Sequence, residues 1–117
     1  MWRHLGCAMV GLVIVASLLP LAELPGPDVP LKDKWLHLLA WGSLAAWFGQ
    51  IASSTGARMR TAAILLAISG LIEVAQILVP FRDGDWADLV ANGIGLAAGT
   101  LFSAAIRVPE AFLARDA

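Results

Sequence analysis

Four apolar stretches, each close to the length needed to cross a lipid bilayer, take up most of this 117-residue chain. Spanning the hydrocarbon takes about 20 mostly apolar residues, and the stretches run over residues 5–24, 34–52, 61–79 and 86–106, with most of the charge between them. No water is present at that depth to satisfy backbone N–H and C=O groups, so segments of this length must be helical. The expected fold is therefore all-α, an integral membrane bundle of four transmembrane helices forming one domain over residues 1–117. Composition points the same way. With 59% hydrophobic and 15% charged residues and a mean hydropathy of +0.77, too little polar surface is left to clothe a soluble globule, and the apolar surplus is expected to face lipid.

The breaks between stretches have local causes. Pro25-Gly26-Pro27-Asp28-Val29-Pro30 cannot continue a helix, because each proline lacks a donor and restricts the residue before it. Ser53-Ser54-Thr55-Gly56 ends the second stretch, and Pro80-Phe81-Arg82-Asp83-Gly84-Asp85 makes a tight turn before the fourth. A cleaved signal peptide is the alternative for the first stretch, but that stretch exceeds the usual apolar core and no small-x-small site follows it. Arg3, Arg58, Arg60, Arg107 and Arg115 lie on one side, and Lys32, Lys34 and Arg82 on the other. This bias puts both termini in the cytoplasm. The scattered basic residues and net charge of -1 exclude nucleic acid as a partner, which needs a basic stripe. Cys7, alone, forms no intrachain disulfide.

Polar residues inside the apolar stretches carry the functional signal. A charge at mid-bilayer costs about 2.5 to 3.5 kcal/mol on insertion scales, so each needs a partner, shallow depth or a function. Ser69, Glu73, Gln76 and Pro80 share one helix face; Asp85, Asp88, Asn92, Gly95 and Gly99 share another; and Asp33 and His37 stand four apart on a third. At 1.5 Å per residue, Glu73 lies about 10 Å below Pro80, Asn92 about 9 Å below Trp86, and His37 about 6 Å below Asp33. Matching depths imply an inward cluster of His37, Glu73, Gln76, Asp88 and Asn92, roofed by Lys34, Arg82 and Asp85. Gly95 and Gly99 form a small-xxx-small pair suited to close helix approach, within the bundle or in a homo-oligomer. Interhelical glue is the competing explanation, but membrane hydrogen bonds average only about 0.6 kcal/mol, a poor return for burying two carboxylates and a histidine. Trp35 and Trp86, at helix starts, read as interfacial anchors, and Trp41 and Trp47 as packing or lipid-facing residues. A shift of 51 residues aligns Trp35, Leu38, Ala40, Gly42 and Ala46 with Trp86, Leu89, Ala91, Gly93 and Ala97. Two related helical hairpins would give such an echo, and so would chance identity among small residues.

Taken in order, Asp33-Lys34-Trp35-Leu36-His37, Glu73-Val74-Ala75-Gln76, Pro80-Phe81-Arg82, Asp85, Asp88 and Ala91-Asn92-Gly93-Ile94-Gly95 resemble the VanZ-like family of bacterial membrane proteins. That family's pattern is a D-K-x-x-H helix, an E-x-x-Q helix, a P-x-R turn and a D-x-x-A-N-x-x-G helix. The chain departs from it where Asp83-Gly84 follows Arg82 in place of small hydroxyl residues, and where Gly93 replaces a common threonine. The resemblance implies a four-helix protein of the bacterial inner membrane, whose namesake gives low-level resistance to the glycopeptide teicoplanin. Most relatives lie outside resistance clusters, which turns the expectation toward envelope chemistry in general.

Three functions compete. The first is binding or modulation of an envelope lipid, a lipid-linked precursor or a lipoglycopeptide at the outer leaflet, with Lys34, Arg82 and His37 meeting a phosphate and Gln76 and Asn92 meeting amides. The second is an intramembrane enzyme using His37 with Glu73 or Asp88 as an acid/base pair; the cluster holds no evident nucleophile, since Ser69 lies one turn deeper. The third is proton or ion translocation, against which the lower half offers only Gly, Ala and Leu. No cofactor is expected; a metal site from one histidine and three carboxylates is conceivable, but the spacing matches no strong ligand signature.

Overall fold

The structure is a computed structural model that describes residues 1–19, 25–27, 30–80 and 83–113. Among these, every regular element is helical: α1 (Trp2–Leu18), α2 (Lys32–Ile51), α3 (Thr55–Ile77), α4 (Trp86–Ala105) and a single turn, α5 (Glu110–Leu113). The first four match the apolar stretches, with boundaries corrected by local chemistry. α1 begins at Trp2 and ends at Leu18, short of the expected residue 24, because the residue before a proline avoids the helical region. Leu19, which precedes Pro20, is extended at φ -92 and ψ 150. α3 starts six residues before the expected Thr61, since the Ser54 side chain accepts a hydrogen bond from Ala57 N–H at 3.1 Å and caps the helix. Thr55 and Gly56 therefore belong to a helix and not to the break. α4 opens on Asp85 in the same way, its carboxylate accepting from Ala87 N–H at 2.8 Å. α2 is entered through Leu31, which sits in the left-handed region at φ 57, a conformation costing a non-glycine residue roughly 1–2 kcal/mol.

α2 packs most closely on α4, with α3 alongside both and α1 against α2 and α3. α2 and α4 run parallel. Lys34 meets Asp85 at one end, and at the other the Gln50 amide donates to Ile106 C=O at 2.6 Å and accepts from Val108 N–H at 2.9 Å. Their seam is made of small residues. A methyl group on Gly42 would stand 3.1 Å from the Gly95 carbonyl oxygen, and one on Gly99 would overlap the carbonyl oxygen of Gly42. The glycine pair of α4 thus serves a contact inside the bundle. Trp41, Leu44, Ala45, Leu65, Ile72 and Leu96 form the apolar core beside it, while Trp2 and Trp47 close the far end, ring centroids 4.9 Å apart.

α3 and α4 are long and apolar enough to cross a membrane, whereas α1 is apolar but has 17 residues. Beside the apolar core, buried polar groups are set against exposed apolar ones. His37, Ser69, Glu73, Gln76, Asp88 and Asn92 are buried, while Leu12, Leu71, Ile77, Val90 and Leu101 are each more than half exposed. The expected anchors Trp86 and Trp35 are 80% and 54% exposed, and Trp41, read as a packing or lipid-facing residue, is fully buried.

Candidate functional site

The polar cluster forms where the first turns of α2 and α4 meet the last turns of α1 and α3. Parallel packing of α2 on α4 fixes it, because both helices then start at the same end and present their acidic first turns to one another. Lys34 is the hub. Its ammonium lies 2.6 Å from Asp85 Oδ2 and 3.8 Å from Asp33 Oδ2, and it donates to Asp88 Oδ1. Three carboxylates therefore surround one cation. The Lys34 hydrogen bond, and behind it the Ala87 backbone N–H, holds the Asp85 carboxylate below its ordinary pKa.

His37 occupies the next turn down. Its Nδ1 lies 3.0 Å from Asn92 Oδ1. An amide oxygen can only accept, so Nδ1 is the donor, and Nε2 carries a lone pair in the neutral ring and a second proton in the charged one. That atom looks back toward the acidic turns, 3.6 Å from Asp88 Oδ2 and 3.8 Å from Asp33 Oδ1. Asp33 and Asp88 each give one oxygen to the Lys34 side and turn the other toward His37.

A cavity of about 170 Å³ opens beside this group between α1 and α2. Val13, Leu36, Ala40 and Trp41 make its apolar wall, and Ser17, Asp33 and His37 its polar end. A second hollow of about 460 Å³, between α3 and α4, is lined almost wholly by apolar groups such as Leu66, Leu96 and Leu101.

Lys34, His37, Asp85, Asp88 and Asn92 are thus brought into one network, as their spacing indicated. Glu73 touches its edge, accepting from Asp85 N–H at 3.3 Å. Gln76 does not join: it donates to Ser17 C=O at 2.6 Å and ties α3 to α1. Arg82 lies outside the described residues. Lys34, expected to meet a phosphate, gives two of its three ammonium donors to Asp85 and Asp88. Two participants were not among the expected site residues. Asp33 was visible through its i,i+4 spacing from His37; Ser17 had no signal, because only the fold sets α1 beside α2.

No family model, curated protein or solved structure matches the chain. The functional reading therefore rests on the geometry and on the motif residues themselves.

Proposed function

We propose that the chain is a VanZ-like, four-span membrane protein that binds the headgroup of an envelope lipid, a lipid-linked precursor or a lipoglycopeptide at the end where α2 and α4 begin. The observation that carries the reading is the cavity between α1 and α2, apolar along its wall and ending on Asp33 and His37. That layout suits an amphiphile whose chain lies along Val13 and Leu36 while its polar part reaches the cluster. With Lys34 already held by three carboxylates, the site favours hydrogen-bond donors such as hydroxyls, amides or an ammonium over a bare phosphate. Four spans, α1 and α2 included, are supported by exposed Leu5, Leu12 and Val15 on α1, by exposed Leu36 and Leu39 on α2, and by the buried polar groups.

Native mass spectrometry of the protein in nanodiscs, titrated with a lipid-linked cell-wall precursor or with teicoplanin, tests the binding. Asp33→Asn and Glu73→Gln keep size and hydrogen-bonding capacity while removing charge, so both variants should fold and Asp33→Asn should weaken binding about tenfold, the effect of roughly 1.4 kcal/mol. Equal binding by wild type and Asp33→Asn would remove the cavity from the account. Full binding by Glu73→Gln would confine that carboxylate to holding the α4 turn.

Both termini are expected in the cytoplasm. In a Cys7→Ala background, a membrane-impermeant maleimide added to intact cells should label Pro27→Cys and spare Ser53→Cys, both positions being exposed. The reverse pattern would invert the protein and move the cluster to the inner leaflet.

A catalytic reading has one specific support, the 3.6 Å approach of His37 Nε2 to Asp88 Oδ2, which gives an acid/base pair of Asp88 and not of Glu73. Turnover of the precursor by wild type, abolished in His37→Gln, would favour it over simple binding.

A further inference from the structure

The geometry points to a divalent metal site formed by Asp33, His37 and Asp88, for a first-row ion such as Zn²⁺ or Mn²⁺. One ligand atom from each residue lies within 4.8 Å of the others. The individual edges from His37 Nε2 are 3.6 Å to Asp88 Oδ2 and 3.8 Å to Asp33 Oδ1. A tetrahedral ion with donor distances of about 2.1 Å has ligand-to-ligand edges of about 3.4 Å, so the two histidine edges contract by a few tenths of an ångström while the carboxylate-to-carboxylate edge, at most 4.8 Å, closes by turning the more exposed Asp33 side chain.

Three further observations point to a ligand rather than to a mere acidic cluster. His37 is 7% exposed, and among the described residues its Nε2 makes no hydrogen bond, although it is aimed between two carboxylate oxygens. These two contacts are ion pairs only when the ring is protonated, and a divalent cation in the same position would answer both carboxylates with the ring neutral. The opposite ring nitrogen is fixed by Asn92 Oδ1 at 3.0 Å, the outer contact that orients a metal-binding histidine and sets its tautomer. Finally, among the described residues Asp33, Asp85 and Asp88 share the Lys34 ammonium, and Asp88, 5% exposed at its side chain, is the carboxylate out of water that gains most from a second cation. Lys34 occupies the other oxygens of Asp33 and Asp88, so it does not block the position facing His37. The adjoining cavity touches both Asp33 and His37 and supplies room for water or a ligand group to complete the coordination. One histidine with carboxylate oxygens suits borderline to hard first-row ions better than soft ones.

This inference is independent of what lipid the cavity accepts, and its test is made without lipid. The full chain, stripped with chelator in detergent, is titrated with Zn²⁺ by calorimetry, in a His4→Ala/Cys7→Ala background that removes the exposed donors on α1. One ion per chain is expected, with a Zn²⁺-dependent rise in melting temperature. Asp88→Asn and His37→Gln should abolish stoichiometric binding. Asn92→Ala, which frees the ring without touching a ligand atom, should weaken binding by about 10- to 100-fold. Should Asp88→Asn fail to fold, Asp33→Asn at the more exposed rim serves in its place, with a loss of at least tenfold expected. No stoichiometric Zn²⁺ or Mn²⁺ binding in the background protein, or undiminished affinity in a folded ligand variant, would overturn the site.

Discussion

Lys34→Met should be among the most destabilising single substitutions in the polar cluster, and adding Asp88→Asn to it should recover a large part of the loss. Removing one partner of a buried ion pair leaves the other charge uncompensated and costs about 3–5 kcal/mol, whereas removing both is often close to neutral. The Asp88 side chain is 5% exposed and Lys34 25%, so the carboxylate is the group that would be stranded. Asp85 makes the contrast. It is 49% exposed at its side chain, where a pair is worth about 0–1 kcal/mol, and asparagine caps a helix about as well. Asp85→Asn should therefore cost little. Thermal unfolding of the four proteins in one detergent checks the pattern. A Lys34→Met protein as stable as wild type would mean that Asp88 finds its compensation elsewhere.

Gly99→Leu is expected to separate α2 from α4 and to leave little folded protein. Even the first carbon of a side chain there overlaps the carbonyl oxygen of Gly42, a backbone atom that no rotamer change can move. Overpacking commonly costs about 1–3 kcal/mol, and a backbone clash lies at or beyond the upper end. Gly11 is the control. A methyl group there meets nothing within 4 Å, so Gly11→Ala should be neutral or should stabilise by up to about 1 kcal/mol through helix propensity. Expression level and unfolding temperature report both. If Gly99→Leu folded as well as Gly11→Ala, the seam would not have the tightness described here.

The contrast between these glycines shows what the sequence could and could not convey. Spacing marked Gly95 and Gly99 as a close-approach pair, yet nothing in the chain named α2 as the neighbour, because Gly42 and Gly49 are seven apart and read as ordinary helix residues. Depth and periodicity likewise placed His37, Asp88 and Asn92 on facing stripes, and the structure brings them into contact. Gln76 shared that periodicity but faces Ser17 on α1: a face is a direction, and two neighbours can lie along it. The engagement of Lys34 by three carboxylates was hidden for a similar reason. Asp33 is local to it, but Asp85 and Asp88 are 51 and 54 residues away, and only the parallel setting of α2 and α4 makes them adjacent. Helix ends were legible where a cap or proline acts, and were misread where a serine cap extends a helix backward through Thr55 and Gly56.

Parallel helices also impose an order in time. The chain leaves the ribosome from its amino terminus, so α2 is complete while α4, more than fifty residues behind it, has still to be made. Until then Lys34, Asp33 and His37 have no Asp88 or Asn92 to meet, and the Gly42 face has no helix to lie against. Within α2 alone Asp33 stands 3.8 Å from the Lys34 ammonium and 3.8 Å from His37 Nε2, so the helix waits with its charges only partly answered. α4 is thus the helix that lets the earlier ones settle, since α2 packs most closely on it and α3 lies alongside.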